Sequence, residues 1–161
     1  MVLVGIIALI VNIVKNNSPA AKLKKMEEAA EAAAQAADEA AEAYQNLSDS
    51  LDSLEDKYEA IEDLTTGTKE WNEAMKDINN SVLDLINKYP ELAKFVKNEG
   101  GVLTIDTSSG EVQDVLTKYK EDSIVASNLA SKKKIDTLQQ RKEIAYKGLS
   151  GKERVNLGDI N

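Results

Sequence analysis

The stretch Lys25–Ile61, KMEEAAEAAAQAADEAAEAYQNLSDSLDSLEDKYEAI, decides the fold class. Leu23, Met26, Ala30, Ala33, Ala37, Ala40, Tyr44, Leu47, Leu51, Leu54, Tyr58 and Ile61 recur at alternating spacings of three and four. That is a heptad with these residues at positions a and d, the pattern of a coiled-coil seam. Ser18 followed by Pro19 supplies an N-cap and a first-turn proline, so the helix is expected to start there and to run to about Leu64, before Thr65-Thr66-Gly67. At 1.5 Å per residue it would be roughly 65 to 70 Å long.

The two halves of this seam differ. Ala30, Ala33, Ala37 and Ala40 stand where Leu would normally sit. Each such exchange forfeits three carbons of burial at about 0.8 kcal/mol apiece, so the first half zips weakly on its own. Alanine is also the best helix former, and its small side chain lets neighbouring backbones approach closely. The expectation is a helix built for length and close lateral packing, gripping firmly in its Leu/Tyr half. An Ala-rich helix packed on the other helices of its own chain is the alternative.

Downstream of the break, Thr68 can cap a second helix whose apolar residues Trp71, Met75, Ile78, Val82, Leu85 and Tyr89 follow helical spacing, with Glu70 near its positive end. Pro90 ends or kinks it. ELAKFV then reads as a short amphipathic turn, KNEGG as a turn cluster and Val102–Asp106, VLTID, as a short strand. A third helix follows Gly110, from Glu111 to about Tyr146, with Val112, Val115, Leu116, Tyr119, Val125, Leu129, Ile135 and Leu138 as its apolar side. The fold expected is all-α: an elongated antiparallel helical hairpin or coiled coil of three main helices with a minor short β insert. Its divisions are 1–15 (apolar segment, membrane-type or buried), 16–64 (Ala-rich acidic heptad helix), 65–110 (second helix, short helix and strand insert), 111–147 (long C-terminal helix) and 148–161 (flexible tail).

Composition narrows function by exclusion. The 161 residues contain no cysteine and no histidine, which removes disulfides, thiolate nucleophiles, the usual zinc sites and the commonest general base. A net charge of −8 argues against nonspecific binding to a phosphate backbone. The charge is uneven: thirteen acids face four lysines between Pro19 and Leu64, whereas eight basic residues face six acids from Gly110 to Lys147. Two readings stay open, two helices of opposite sign lying side by side or two separately solvated faces.

Local motifs give little chemistry. DTSSGE, from Asp106, lacks the alternating acids and closing glutamate of a calcium loop and reads as a turn plus helix cap. Asp52, Glu55, Asp56, Glu59, Glu62 and Asp63 could gather cations but match an ordinary solvated flank. Lys132, Lys133 and Lys134 lack the interleaved aromatics of a nucleic-acid site, and Trp71 reads as a core anchor. No catalytic residue, no cofactor-binding residue and no metal ligand is expected, and neither is a small-molecule substrate.

The run Val2–Val14, VLVGIIALIVNIV, is thirteen residues with Asn12 its one polar member. A bilayer-spanning helix needs about 20 apolar residues, so this is too short to cross comfortably. No basic residue precedes it and no convincing cleavage site follows, which makes it a poor signal peptide. It is expected either to dock as a buried apolar segment against a partner or to end a longer membrane-type segment of a larger gene product.

Taken together, the apolar run, SPAAKLKK, the Ala/Glu-rich helix, YQNLSDSLDSLEDKYEAIEDLTTGTKEWNEAMKDINNSVLDLINKYPELAKFV and GGVLTIDT resemble a module of the tail tape measure proteins of bacteriophages and prophages. The likeness covers about Val2 to Gln140 and is most specific from LTTGTKEW through INKYPELAKFV to GGVLTID. It implies a noncatalytic, largely helical virion component inside the tail tube that sets tail length and leaves ahead of the DNA, its apolar segments helping it cross the host membrane. It further implies synthesis in the bacterial cytoplasm, residence in the virion, and insertion in the host inner membrane on ejection. The partners implied are its own copies through coiled-coil packing, tail tube or tail-tip proteins and the host membrane, with no direct sequence-specific contact to nucleic acid. The chain is far too short to measure a tail and would be one internal module or a fragment. A cellular membrane-tethered coiled-coil adaptor, anchored by the apolar run and binding a protein partner through the acidic helix, is the competing expectation.

Overall fold

A computed structural model describes residues 18–148; the apolar run Val2–Val14 and the tail beyond Gly148 lie outside them. The described chain is all-α with one small β pair: α1 (Pro19–Glu62), α2 (Lys69–Lys88), a 3-10 turn (Pro90–Phe95), β1 (Lys97–Glu99), β2 (Val102–Thr104) and α3 (Gly110–Gly148). The start signals act as read. Ser18 Oγ accepts from the Ala21 amide at 3.3 Å and Thr68 Oγ1 from the Trp71 amide at 3.3 Å, each satisfying an orphan donor of the first turn. Proline at position 90 has no N–H to continue the α-helical ladder, so α2 stops at Lys88 and the chain tightens into the 3-10 turn.

The contacts divide into two compact units, residues 41–122 and, among those described, 18–40 with 123–148; α1 and α3 each contribute to both. The unit of residues 41–122 carries the large side chains. Leu47, Leu51, Leu54 and Ile61 of α1, as the heptad requires, bury against Ile78, Val82 and Leu85 of α2, with Leu92, Ile105 and Val112 completing the core. Here α1 and α2 run antiparallel: the Tyr89 hydroxyl donates to the Ala43 carbonyl at 2.8 Å, while Lys57, fourteen residues further along α1, reaches back to Asp77 of α2 at 3.1 Å. The strand read at Val102–Asp106 is observed over Val102–Thr104, and its partner β1 comes from the segment read as a turn cluster. Gly100 and Gly101, at φ +63° and +93°, make the two-residue turn between them, a conformation that side-chain-bearing residues rarely adopt.

The other unit is an antiparallel pair of α1 and α3. Its seam departs from the expected one. Within this unit the buried residues of α1 are Ala29, Ala33 and Ala36; of the four alanines that the continuous heptad placed in the seam, Ala33 is buried and Ala30, Ala37 and Ala40 are half-buried. Neighbouring alanines are equally apolar, so spacing alone leaves the inward face of this stretch open by one position. On α3 the correction is larger. Val125, Ile135 and Leu138, read as core, are about half exposed, at 53%, 54% and 51%, whereas Ala126 and Thr137 are buried. Ser123, Ala126, Ala130, Lys133, Thr137, Gln140 and Ile144, all buried or half-buried, continue a four-three spacing from Val112, Leu116 and Tyr119. A seam facing alanines leaves room for small side chains, and the branched ones turn outward.

Candidate functional site

The most specifically built part of the 41–122 unit is the seat of the β pair. A two-stranded hairpin is marginal alone, and the edge of β2 away from β1 has unpaired backbone groups. Two side chains serve that edge. Asn79, in the middle of α2, donates through Nδ2 to the Gly101 carbonyl at 2.9 Å and accepts at Oδ1 from the Leu103 amide at 2.7 Å. Tyr58 of α1 donates its hydroxyl proton to the Leu103 carbonyl at 2.9 Å and accepts from the Ile105 amide at 3.1 Å. Together they take the place of a third strand. Neither role was read from the sequence, although asparagine in a helix interior is a clue, since its side chain competes for backbone groups and favours positions where it finds one.

Beside this seat Tyr58, Phe95, Lys97, Glu99, Thr104, Ile105 and Asp106 line an open cup of about 330 Å³. A second, larger groove of about 400 Å³ lies between α1 and α2, walled by Asn46, Asp49, Ser50 and Ser53 on one side and Ser81, Asp84 and Lys88 on the other. Ser81 is within 2.8 Å of Lys57 Nζ, the spacing of a serine–lysine nucleophile pair. The same ammonium lies 3.1 Å from the Asp77 carboxylate. It donates to Ser81 Oγ, and the three groups clasp α1 to α2.

Aromatic hydroxyls mark a third cluster. Tyr89 and Tyr119 meet edge to face with ring centroids 5.2 Å apart, and the Tyr119 hydroxyl donates to the Glu91 carboxylate. Burial, then the hydrogen bond to Glu91 and its charge, pushes the Tyr119 phenol far above its usual range. Burial also raises Tyr89, with Glu91 adding to it. Tyr58 is raised by burial, opposed by the Ile105 amide and reinforced by Glu99. All three phenols are held neutral by the fold, so their stabilisation is complete below pH 10, the ordinary tyrosine value, and is lost as pH rises through their folded values. Thermal unfolding followed by circular dichroism should therefore drop above pH 10, and Tyr119→Phe should lessen the drop while leaving the neutral-pH melting temperature within a few degrees. An equal drop in both proteins would show that this cluster does not contribute.

The motifs singled out in the sequence are placed as follows. Asp106 Oδ1 accepts from the amide and hydroxyl of Ser108, at 3.1 and 2.9 Å, and Ser109 Oγ accepts from the Val112 amide at 3.2 Å, so DTSSGE is a turn leading into the N-cap of α3. Asp52, Glu55, Asp56, Glu59, Glu62 and Asp63 are exposed, and among the described residues no three acids converge on a point a metal ion could occupy. Lys132 and Lys134 are exposed while Lys133 is half-buried on the seam, which separates the three. Trp71 packs against the core of the 41–122 unit. The acidic and basic helices do lie side by side in the unit of residues 18–40 and 123–148, joined by Arg141 Nε and Glu27 at 2.9 Å. Both partners are about half exposed, which limits such a pair to a few tenths of a kcal/mol, roughly up to one.

No family model, no curated protein and no solved structure matches the chain.

Proposed function

We propose that the chain is a noncatalytic structural module of a phage tail, of the tape measure type. It packs through its helical seams with copies of itself, faces tail tube or tail-tip proteins, and uses its apolar run against the host membrane on ejection. The observation that carries this reading is the stretch LTTGTKEW through INKYPELAKFV to GGVLTID, where the resemblance is most specific. Its support is chemical as well. The polar clusters of the described residues are absorbed by packing: the serine–lysine contact is a helix clasp, and Tyr58 and Asn79 serve a strand edge. A part of this kind works by length and contact rather than by reaction. Among the described residues no helix is long and apolar enough to cross a membrane, so contact with lipid falls to the run Val2–Val14.

Mass spectrometry of purified particles, combined with electron microscopy of particles carrying an in-frame deletion of residues 19–148, tests this reading. The expected result is the chain in the virion and visibly shortened tails. Particles without the chain, with tails of unchanged length, would overturn it, and recovery of the chain in the membrane fraction of uninfected cells would favour the tethered adaptor.

A further inference from the structure

We propose that the outer edge of β1 pairs antiparallel with β1 of a second copy of this chain, in a single register centred on Asn98. The contact lies on the small sheet rather than on the helical seams, and it does not rest on the phage-tail reading.

The fold treats the two edges of the hairpin differently. In an antiparallel pair, opposed residues either exchange their backbone hydrogen bonds or direct them away from each other. Leu103 stands opposite Asn98, and its N–H and C=O are bonded away from β1, to Asn79 and Tyr58. The N–H and C=O of Asn98 therefore point outward too, on the free side of β1, and among the described residues neither meets a partner. Lys97, Asn98 and Glu99 are all exposed. The Asn98 side chain turns back on its own hairpin, where Oδ1 accepts from the Gly101 amide at 2.9 Å, and this leaves the main chain clear.

Charge selects the occupant. About a two-fold axis at Asn98, the two copies of that residue exchange both backbone hydrogen bonds, and Lys97 of each copy lies directly opposite Glu99 of the other. Opposite charges so placed attract across a strand pair. Lys97 and Glu99 both line the cup beside Tyr58, so the two ion pairs form on one face of the joined sheet. Outward backbone groups recur at every second residue, so the nearest alternative registers are shifted by two. One of them sets Lys97 against Lys97 and the other Glu99 against Glu99, and parallel in-register pairing also sets like on like. Edge strands commonly carry charge to discourage pairing. Here a lysine, an asparagine and a glutamate in that order discourage each of these arrangements except the centred antiparallel one. Two hydrogen bonds and two exposed ion pairs make a weak contact between free molecules. It strengthens where copies are already held side by side at high effective concentration.

The cysteine-free sequence makes the test direct. Lys97→Cys and Glu99→Cys are made in separate full-length chains, one carrying a mass tag, and the two are mixed in a glutathione buffer. In the proposed register positions 97 and 99 of different copies face each other with Cα atoms about 4.5 Å apart, and the remaining lysine and glutamate still pair. Two copies of position 97 lie about 8 Å apart, too far for a disulfide without backbone movement. The mixed disulfide should exceed either homodimer by roughly tenfold or more. A purely statistical mixture overturns the proposal, and so does an excess of either homodimer, which would mark a slipped register. Separately, hydrogen exchange at the Asn98 amide of the native chain should slow by about twofold or more between dilute and concentrated solution. Lys97→Glu should abolish that slowing, and Lys97→Glu combined with Glu99→Lys should restore it. Exchange that is independent of concentration overturns the pairing, and slowing that survives Lys97→Glu overturns it in favour of contact elsewhere on the chain.

Discussion

Leu54→Ala is expected to destabilise the unit of residues 41–122 by about 2 to 5 kcal/mol, the cost of deleting a buried leucine where the surroundings relax only in part. Leu54 is 1% exposed and lies among Leu47, Leu51, Ile78, Val82 and Leu85, on both sides of the α1–α2 interface. A unit of this size is stable by roughly 4 to 12 kcal/mol, so the loss takes a large fraction of the whole. Trp71, the one tryptophan in the sequence, packs against this core and reports on it selectively in urea titrations followed by fluorescence. Ala37→Ser, at a half-buried position of α1 in the other unit, should shift the same transition by less than about 0.5 kcal/mol. Comparable shifts for both substitutions would mean that the leucine half of α1 is not a packed core.

The contrast between these two positions also explains what was legible in the sequence. Where side chains are large, periodicity and burial coincide: Leu47, Leu51, Leu54 and Ile61 were placed by their spacing alone, and they are buried. Where alanine occupies neighbouring positions, as in Ala29-Ala30 and Ala36-Ala37, hydrophobicity is the same on both and the phase of the seam is undetermined. Burial then falls to Ala29 and Ala36. On α3 the same size effect inverts the reading, since close helix approach selects Ala126 and Thr137 over Val125, Ile135 and Leu138. Thr137 is affordable there because its hydroxyl donates to the Lys133 carbonyl at 2.8 Å within its own helix. The expectation of an all-α chain with a small β insert survives these shifts, because helix and strand periods do not depend on which neighbour faces inward. The strand β1 escaped for a different reason: Lys97, Asn98 and Glu99 are all exposed, so no alternation marks them.

Asn79→Ala is expected to cost about 1 to 3 kcal/mol and to release the β pair before the helices unfold. The amide of Leu103 and the carbonyl of Gly101 both depend on this one side chain. Removing it deletes two hydrogen bonds, and leaving a partly buried donor unpaired costs its desolvation as well. Tyr58→Phe should act in the same direction by freeing the Leu103 carbonyl and the Ile105 amide, the latter in a residue only 3% exposed. Hydrogen exchange separates a local from a global effect. If the two side chains act as a substitute third strand, amides from Leu103 to Ile105 should lose protection by tenfold or more in Asn79→Ala, while those of α2 around Val82 keep theirs relative to global stability. The two substitutions meet at Leu103, so their effects should not add: once one has freed that residue the second has less to remove, and the double variant should fall short of the sum. Strict additivity with uniform loss of protection across the unit would mean that Asn79 and Tyr58 merely fill space. A hairpin of two three-residue strands owes its place to side chains on two helices, so the edge of β2 is closed to pairing only while both remain.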